Sequence, residues 1–273
     1  MNYIKLVNFE VQRFFKFLVA LIVIVGTTQV IAAFLSASNY RDRAAEVMLR
    51  EKVLAQDYVT NYGAYSIHHV FNHSFFQLSI MFAAAMLFIY IFFIWYRDWF
   101  GKSSFIYRLL MLPTERRNVY FAKLTAILLF VFALVGMQVL FVQVTQLIMY
   151  WIVPADLIIE SGVITTYSHE LMSIFFPKTI VQFLASYGLG TALVAMLFTA
   201  ILIERSYHLK GIFMAGIYLT LSLALLLVPV IIAGNSDYFY VKELLMIVAC
   251  TALLVFVGAV IIANYLLKRK INV

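Results

Sequence analysis

The chain has 273 residues, of which 64% are hydrophobic and only 12% are charged, and its mean hydropathy is +0.97. Soluble domains average about half apolar and about a quarter charged residues, so this composition excludes a soluble enzyme or binding domain and predicts an integral membrane protein. The net charge of +7 is explained by membrane topology and calls for no nucleic-acid partner.

Six apolar stretches are long enough to cross a membrane, which takes about 20 residues of helix. They cover residues 17–35, 75–95, 121–149, 179–203, 211–233 and 244–267. We therefore predict an all-α membrane protein of six transmembrane helices, with one transmembrane domain spanning residues 1–273. External loops are expected at 36–74 and 150–178, and a cytoplasmic loop at 96–120.

The distribution of charge predicts the orientation of these crossings. Residues 1–16, 96–123, 204–210 and 268–273 together hold 14 Lys and Arg against 4 Asp and Glu, a net charge of +10. The rest of the chain holds 6 against 9, a net charge of −3. Because basic residues concentrate in short cytoplasmic loops, both termini are expected in the cytoplasm.

Residues 1–16 are amphipathic at the helical period, with Ile4, Val7 and Val11 opposed to Lys5 and Gln12. Such a segment is typical of a helix that lies in the membrane interface, and this is our prediction. The alternative is a helix that continues directly into the first crossing.

The first external loop mixes opposite charges three or four residues apart and predicts a short exposed helix that forms a solvated cap. His68, His69 and His73 follow, and the i, i+4 spacing of His69 and His73 makes these two the candidate ligands for a divalent metal. No Cys or carboxylate nearby completes a ligand set, so a histidine cluster without metal is the favoured alternative and no metal site is assigned.

The third crossing carries Gln138, Thr145 and Gln146 on one helical face. Amides in hydrocarbon must find hydrogen-bond partners, so this face is predicted to meet another helix or a transport pathway.

The segment from Trp95 to Lys123 separates two apolar runs and holds six of the chain's 20 Lys and Arg residues. Within it, apolar side chains recur at spacings of three and four and predict a short helix that Pro113 ends. A second helix is predicted to follow, with Arg116, Tyr120 and Lys123 on one face.

Motifs for catalysis are absent from the sequence. It contains no GxxxxGK[ST], HExxH or GxSxG pattern, and its apolar crossings hold few ionisable residues. We therefore predict no catalytic and no cofactor-binding residues, and an energy source on another polypeptide.

The run Tyr107-Arg108-Leu109-Leu110-Met111-Leu112-Pro113, followed by Arg116 and Lys123, resembles the loop after the second crossing in ABC-2 type transporter permeases. In that family the loop forms a coupling helix, between the second and third crossings, that docks on a separate ATP-binding subunit. The acidic residue and Gly-Thr that many members have before this run are matched only loosely in this chain, by Asp98, Gly101 and Ser103.

The resemblance implies a bacterial cell-membrane exporter subunit that works with an ATP-binding cassette subunit, which carries the ATP and Mg, and with a second permease subunit, identical or related. The cargo expected from the apolar crossings is an amphipathic or hydrophobic molecule such as a peptide, an antibiotic or a lipid-linked compound. The coupling residues that it implies are Phe105, Ile106, Arg108, Leu109, Leu110, Pro113, Arg116 and Arg117.

Two further classes of protein fit parts of the sequence. A stand-alone immunity or sensor protein would bind a membrane-active peptide through its acidic external loops. A membrane enzyme would need the three histidines His68, His69 and His73 to bind a metal.

Overall fold

The computed structural model describes residues 3–100, 115–159, 166–167, 169–234 and 240–270. Among those residues, helices make up the regular structure, and the one β-type pairing is an isolated parallel bridge between Tyr65 and Ile158. The helices are α1 (Tyr3–Glu51), α2 (Ala55–Tyr62), α3 (Ile67–Phe71), α4 (Ser74–Phe100), α5 (Arg116–Ile152), a 3-10 turn (Ala155–Leu157), α6 (Glu170–Phe175), α7 (Ile180–Gly234) and α8 (Val241–Arg269).

Six stretches in the described part of the chain are long and apolar enough to cross a bilayer. They are Tyr3–Glu51, Ser74–Phe100, Arg116–Ile152, Ile180–Tyr207, Leu209–Ile232 and Lys242–Arg269. Large apolar side chains remain exposed along them, among them Phe17 at 60%, Leu147 at 68% and Leu221 at 66%. Such a surface suits lipid rather than water, and the prediction of an all-α membrane fold with six apolar spans is confirmed.

The N-terminal stretch is the first part of α1, and the prediction of a separate interfacial helix is wrong. α1 continues from Tyr3 into the first predicted crossing, as the alternative held. The buried face of this stretch consists of Leu6, Glu10 and Phe14, whereas Ile4 of the expected apolar stripe is 77% exposed. The pattern misled because the packed face contains a charged residue whose partners lie far away in the sequence.

The described residues form two compact units. The first comprises described residues within 1–14, 87–130 and 177–273, and the second those within 15–86 and 131–176.

In the second unit, residues 36–74 form both an exposed helical end of α1, as predicted, and a packed cap that was not predicted. α1 extends to Glu51, and α2 and α3 follow before α4 begins. Tyr58, Tyr65 and Phe71 are buried in one apolar cluster with Met149 and side chains from the segment after α5. The charged residues on which the prediction depended, such as Glu46 and Arg50, are exposed on a helix as expected. The prediction of a wholly solvated cap was wrong because it overlooked these aromatic residues.

Tyr65 fixes the cap at its centre. Its backbone N–H donates to Leu157 O at 2.8 Å and its carbonyl accepts from Ile159 N–H at 3.0 Å, which forms the parallel bridge. Its hydroxyl donates to Ser36 Oγ at 2.9 Å. Burial raises the pKa of Tyr65, and the bond to Ser36 opposes this shift.

In the first unit, α7 folds back on itself to provide two of the apolar spans. Residues seven apart in a straight helix are separated by about 10 Å, yet a Cβ added at Gly211 would lie 2.7 Å from the carbonyl oxygens of Ile203 and Glu204. Ala192 and Met196, before this turn, pack against Leu226, after it. Only glycine fits at position 211 without displacing the backbone.

Candidate functional site

Five charged side chains from three helices meet in the first unit and form what we call the charge cluster. They are Glu10 and Arg13 of α1, Arg97 and Asp98 of α4, and Lys123 of α5. Glu10, Asp98 and Lys123 are buried, with 2%, 0% and 0% of their surface exposed. Buried charges of this kind are rare unless they are paired.

Lys123 lies at the centre of the charge cluster. Its ammonium Nζ donates to Glu10 Oε1 at 2.8 Å, to Asp98 Oδ2 at 2.5 Å and to the carbonyl oxygen of Ile94 at 2.9 Å. These three bonds use all three donors of the ammonium group. Nζ also lies 5.2 Å from the ring centroid of Trp95, within the range of a cation–π contact.

The two arginines take the carboxylate oxygens that Lys123 leaves open. Arg13 Nη1 donates to Asp98 Oδ1 at 2.9 Å, and Arg97 Nη2 donates to Glu10 Oε2 at 3.2 Å. Their side chains are 25% and 19% exposed, so they lie at the edge of the cluster. Each carboxylate therefore binds Lys123 through one oxygen and an arginine through the other.

The pairing of its charges determines how the charge cluster affects the stability of the fold and the alignment of its helices. The desolvation of five charged groups offsets much of their attraction, so a buried network adds little net stability over apolar packing. Removing one partner is costly, because the remaining charges stay buried without compensation. The cluster therefore acts mainly to fix the register of α1, α4 and α5 at one level.

Next to the charge cluster, a layer of aromatic side chains connects α4 and α5 to α7, and Thr199 connects α7 to α8. Trp95 packs edge-on against Phe198, with ring centroids 5.5 Å apart. The hydroxyl of Tyr120 donates to Ala195 O at 3.0 Å, and Thr199 Oγ1 contacts Ala259 O of α8 at 3.0 Å. The charge cluster and the aromatic layer together contain residues of α1, α4, α5, α7 and α8.

Of the predicted coupling residues, the structure describes two. The other six lie outside the described residues; they are Phe105, Ile106, Arg108, Leu109, Leu110 and Pro113. Arg116 donates from Nη1 to the carbonyl oxygen of Leu267 at 2.8 Å, near the end of α8, and Arg117 forms an exposed ion pair with Glu115. On the predicted face of this helix, Tyr120 and Lys123 are buried and Arg116 is half-buried.

Within the predicted polar face of the third crossing, Gln138 forms an interhelical contact in the second unit. The amides of Gln138 and Gln29 exchange hydrogen bonds of 3.2 and 3.0 Å between α5 and α1. Gln29 Nε2 also lies 3.2 Å from Ser79 Oγ of α4. Thr145 is buried, and Gln146 Nε2 donates to Thr166 Oγ1 at 3.3 Å.

The candidate metal ligands have local partners. Nδ1 of His69 lies 3.2 Å from the N–H of Ser66 within a capping box, and Nδ1 of His73 accepts from the N–H of Phe75 at 3.4 Å. The described part of the chain contains no group of three His, Cys, Asp or Glu arranged to hold a metal ion.

Reasoning from sequence did not identify Glu10 and Asp98 as members of the charge cluster, nor Gln29 as the partner of Gln138. A signal was nevertheless present. Opposite charges lie next to apolar runs at two places, at Glu10 and Arg13 and at Arg97 and Asp98. Isolated charges are costly in such surroundings, so partners are to be expected. The sequence contained no indication of which of these groups would meet.

Comparison with known protein families, curated protein sequences and solved structures found no match to this chain.

Proposed function

We propose that the chain is the transmembrane subunit of an ATP-driven ABC-2 type exporter. In this proposal an ATP-binding cassette subunit, which carries the ATP and Mg, docks on the predicted coupling residues between Phe105 and Arg117, which we call the docking segment. A second permease subunit completes the pathway. The cargo is an amphipathic or hydrophobic molecule such as a peptide, an antibiotic or a lipid-linked compound. The protein lies in the bacterial cell membrane with both termini in the cytoplasm.

The observation that carries this proposal is the position of the charge cluster around the docking segment. Asp98 lies seven residues before Phe105 and Lys123 lies six residues after Arg117. Their side chains bind each other at 2.5 Å. Glu10 joins α1 to the same pair. In this proposal a displacement of the docking segment is passed to the parts of α1, α4 and α5 that lie in the first unit, as expected where a motor subunit drives a membrane subunit.

Two features of the sequence support the same assignment. The chain has no phosphate-binding loop of its own, and the Leu-Leu-x-x-Pro-x-x-Arg pattern follows the second crossing. A partner that hydrolyses ATP is therefore required if ATP drives the export.

The experiment that tests this proposal is co-purification. The tagged chain, expressed from its native locus and extracted in mild detergent, is expected to retain an ATP-binding protein whose ATPase activity is then measured in the complex. Purification of the chain without any nucleotide-binding protein, under conditions that preserve its fold, would reject the assignment.

A second candidate is a stand-alone immunity or sensor protein, which the packed cap of the second unit favours. A cap with a buried aromatic core provides a defined binding surface, whereas a simple solvated loop would not. If the chain purifies alone yet protects cells from a membrane-active peptide, this second function replaces the first.

A further inference from the structure

A groove of about 590 Å³ lies in the second unit, where α4 begins beside α6. Its volume falls within the roughly 300–1,000 Å³ of small-molecule sites. Its lining combines the polar side chains of Asn72, Gln77, His169 and Glu170, which we call the polar end, with the apolar side chains of Ile80, Met81 and Leu171, which we call the apolar end.

The polar end is held in place by aromatic stacking. His169 Nε2 lies 3.1 Å from Asn72 Oδ1, and because an amide oxygen only accepts, this ring nitrogen carries the proton. The His169 ring also stacks on His68, with centroids 5.4 Å apart, and meets the edge of Phe71 at 5.3 Å. Nδ1 is left as a buried acceptor with no hydrogen-bond partner among the described residues.

The apolar end is formed by Ile80, Met81 and Leu171. Ile80 and Met81 belong to the second turn of α4, inside the span Ser74–Phe100, whereas His169 and Glu170 belong to none of the six apolar spans. The groove therefore runs from a polar edge into a membrane span. Its chemistry matches a molecule with one polar head and one apolar chain.

The charge of the groove comes from Glu170, which lines its polar end. Burial, and then the neighbouring His68, lower the pKa of His169 below its ordinary value of 6.5, so that this ring is neutral near pH 7. No ion pair to Glu170 is found within the described ranges. The groove thus offers the Glu170 carboxylate to a ligand, which favours a cationic head group.

We propose that this groove is a binding site for a free cationic amphiphile, a molecule with an amine or guanidinium head and an apolar chain. The head binds Glu170 beside His169 and Asn72, and the chain lies along Ile80 and Met81. This goes beyond the proposed function, because binding by the isolated chain requires no ATPase. A failure to co-purify an ATPase and a failure to bind the amphiphile can therefore be told apart.

The test uses the full chain in phosphatidylcholine nanodiscs and two photoreactive probes. One is dodecylamine with a diazirine on its chain, and the other is the alkyl sulfate with the same chain. Labelled peptides are identified by mass spectrometry, and the ratio of amine to sulfate labelling at Ile80, Met81 and Leu171 is measured. Because both probes partition into lipid, this ratio corrects for background labelling.

We expect the amine to label these residues more strongly than the sulfate, and Glu170→Gln to reduce the ratio about fivefold, the upper range for one partly exposed ion pair. Glu170→Lys should reverse the preference. Glu46→Gln is the matched control, because Glu46 is exposed on α1 in the same unit and does not line the groove, and it should leave the ratio unchanged.

Three outcomes would overturn the proposal. The first is equal labelling by both probes, or labelling that avoids these residues. The second is a ratio in Glu170→Gln equal to that of the wild type. The third is loss of amine labelling when phosphatidylethanolamine is added to the nanodisc, since the occupant would then be a bilayer lipid.

Discussion

Lys123 and Asp98 are 25 residues apart in the sequence, and their fully buried side chains bind each other at 2.5 Å. Between them lie the end of α4, residues 101–114 and the start of α5. The two residues thus close a loop whose ends are held by a charge contact shared with Glu10. An apolar bundle that buries charges at this one level gains a fixed alignment of three helices at the base of that loop.

Lys123→Met removes the central cation while keeping most of the side-chain volume. Glu10 and Asp98 then stay buried with only the partly exposed arginines, and we expect a loss of about 3–5 kcal/mol. The measurement is thermal unfolding in detergent. Lys242→Met, at an exposed lysine of α8, is the control and should change stability by less than about 0.5 kcal/mol. Equal melting temperatures for the two variants would contradict the central role of Lys123.

Glu10 and Arg97 should show an energetic coupling. Arg97 binds the Glu10 oxygen that Lys123 does not use, so Glu10→Gln and Arg97→Met share one interaction. A double-mutant cycle is expected to give a coupling of about 0.5–3 kcal/mol. The same cycle between Glu10 and Arg117, which pairs with Glu115 instead, should be additive. Additivity in both cycles would show that the Arg97 contact contributes nothing.

Leu109→Asp and Arg108→Glu test the proposed docking segment. If the docking segment binds an ATPase, both variants should insert normally into the membrane but lose the co-purifying ATP-binding protein. Leu49→Asp, at a residue of α1 that is 80% exposed, introduces the same charge in the second unit and should retain the partner. Full retention of the ATPase by Leu109→Asp would reject the docking site.

Gly211→Ala and Gly216→Ala form a matched pair within α7. The Cβ at position 211 would meet two backbone carbonyl oxygens at 2.7 Å, so the turn must shift, at a cost of about 1–3 kcal/mol. At position 216 a Cβ meets nothing within 4 Å, and the alanine should be neutral or stabilising by up to about 1 kcal/mol. The melting temperature should therefore fall in Gly211→Ala and stay level or rise in Gly216→Ala. A fall of the same size in both variants would contradict the close approach at position 211.

Because the pKa of His169 is lowered in the folded protein, we predict that the stability of the protein depends on pH. Its pKa in the folded protein is lowered by burial and by His68, with an opposing effect of Glu170. The unfolded chain therefore takes up a proton first as the pH falls through about 6.5, and the stability that His169 contributes above this pH is lost on acidification. Between pH 7.5 and 5.5 the wild type should lose more thermal stability than His169→Gln. The same decrease in both proteins would exclude His169 as the cause.

The sequence predicted the six spans because length and hydropathy are local properties, which bilayer thickness converts directly into structure. It also placed Tyr120 and Lys123 on one helical face, and both side chains are buried. It did not predict the partners of Lys123. Glu10 is 113 residues away, and a local sequence pattern carries no information about a contact between residues so far apart. The cap was missed for a similar reason, because Tyr65 and Leu157 become neighbours only through the path of the chain.

The close turn within α7 has a practical consequence for mapping the topology of this protein. Reporter enzymes and epitope tags are commonly inserted into the connections between crossings, yet the backbone around Gly211 approaches that of Glu204 too closely to admit even a methyl group. A fusion placed there would separate Ala192 from Leu226 and report on a damaged protein. At Gly63, by contrast, an added Cβ would meet nothing within 4 Å, although the Gly63 carbonyl accepts a hydrogen bond from Tyr40 at 2.8 Å.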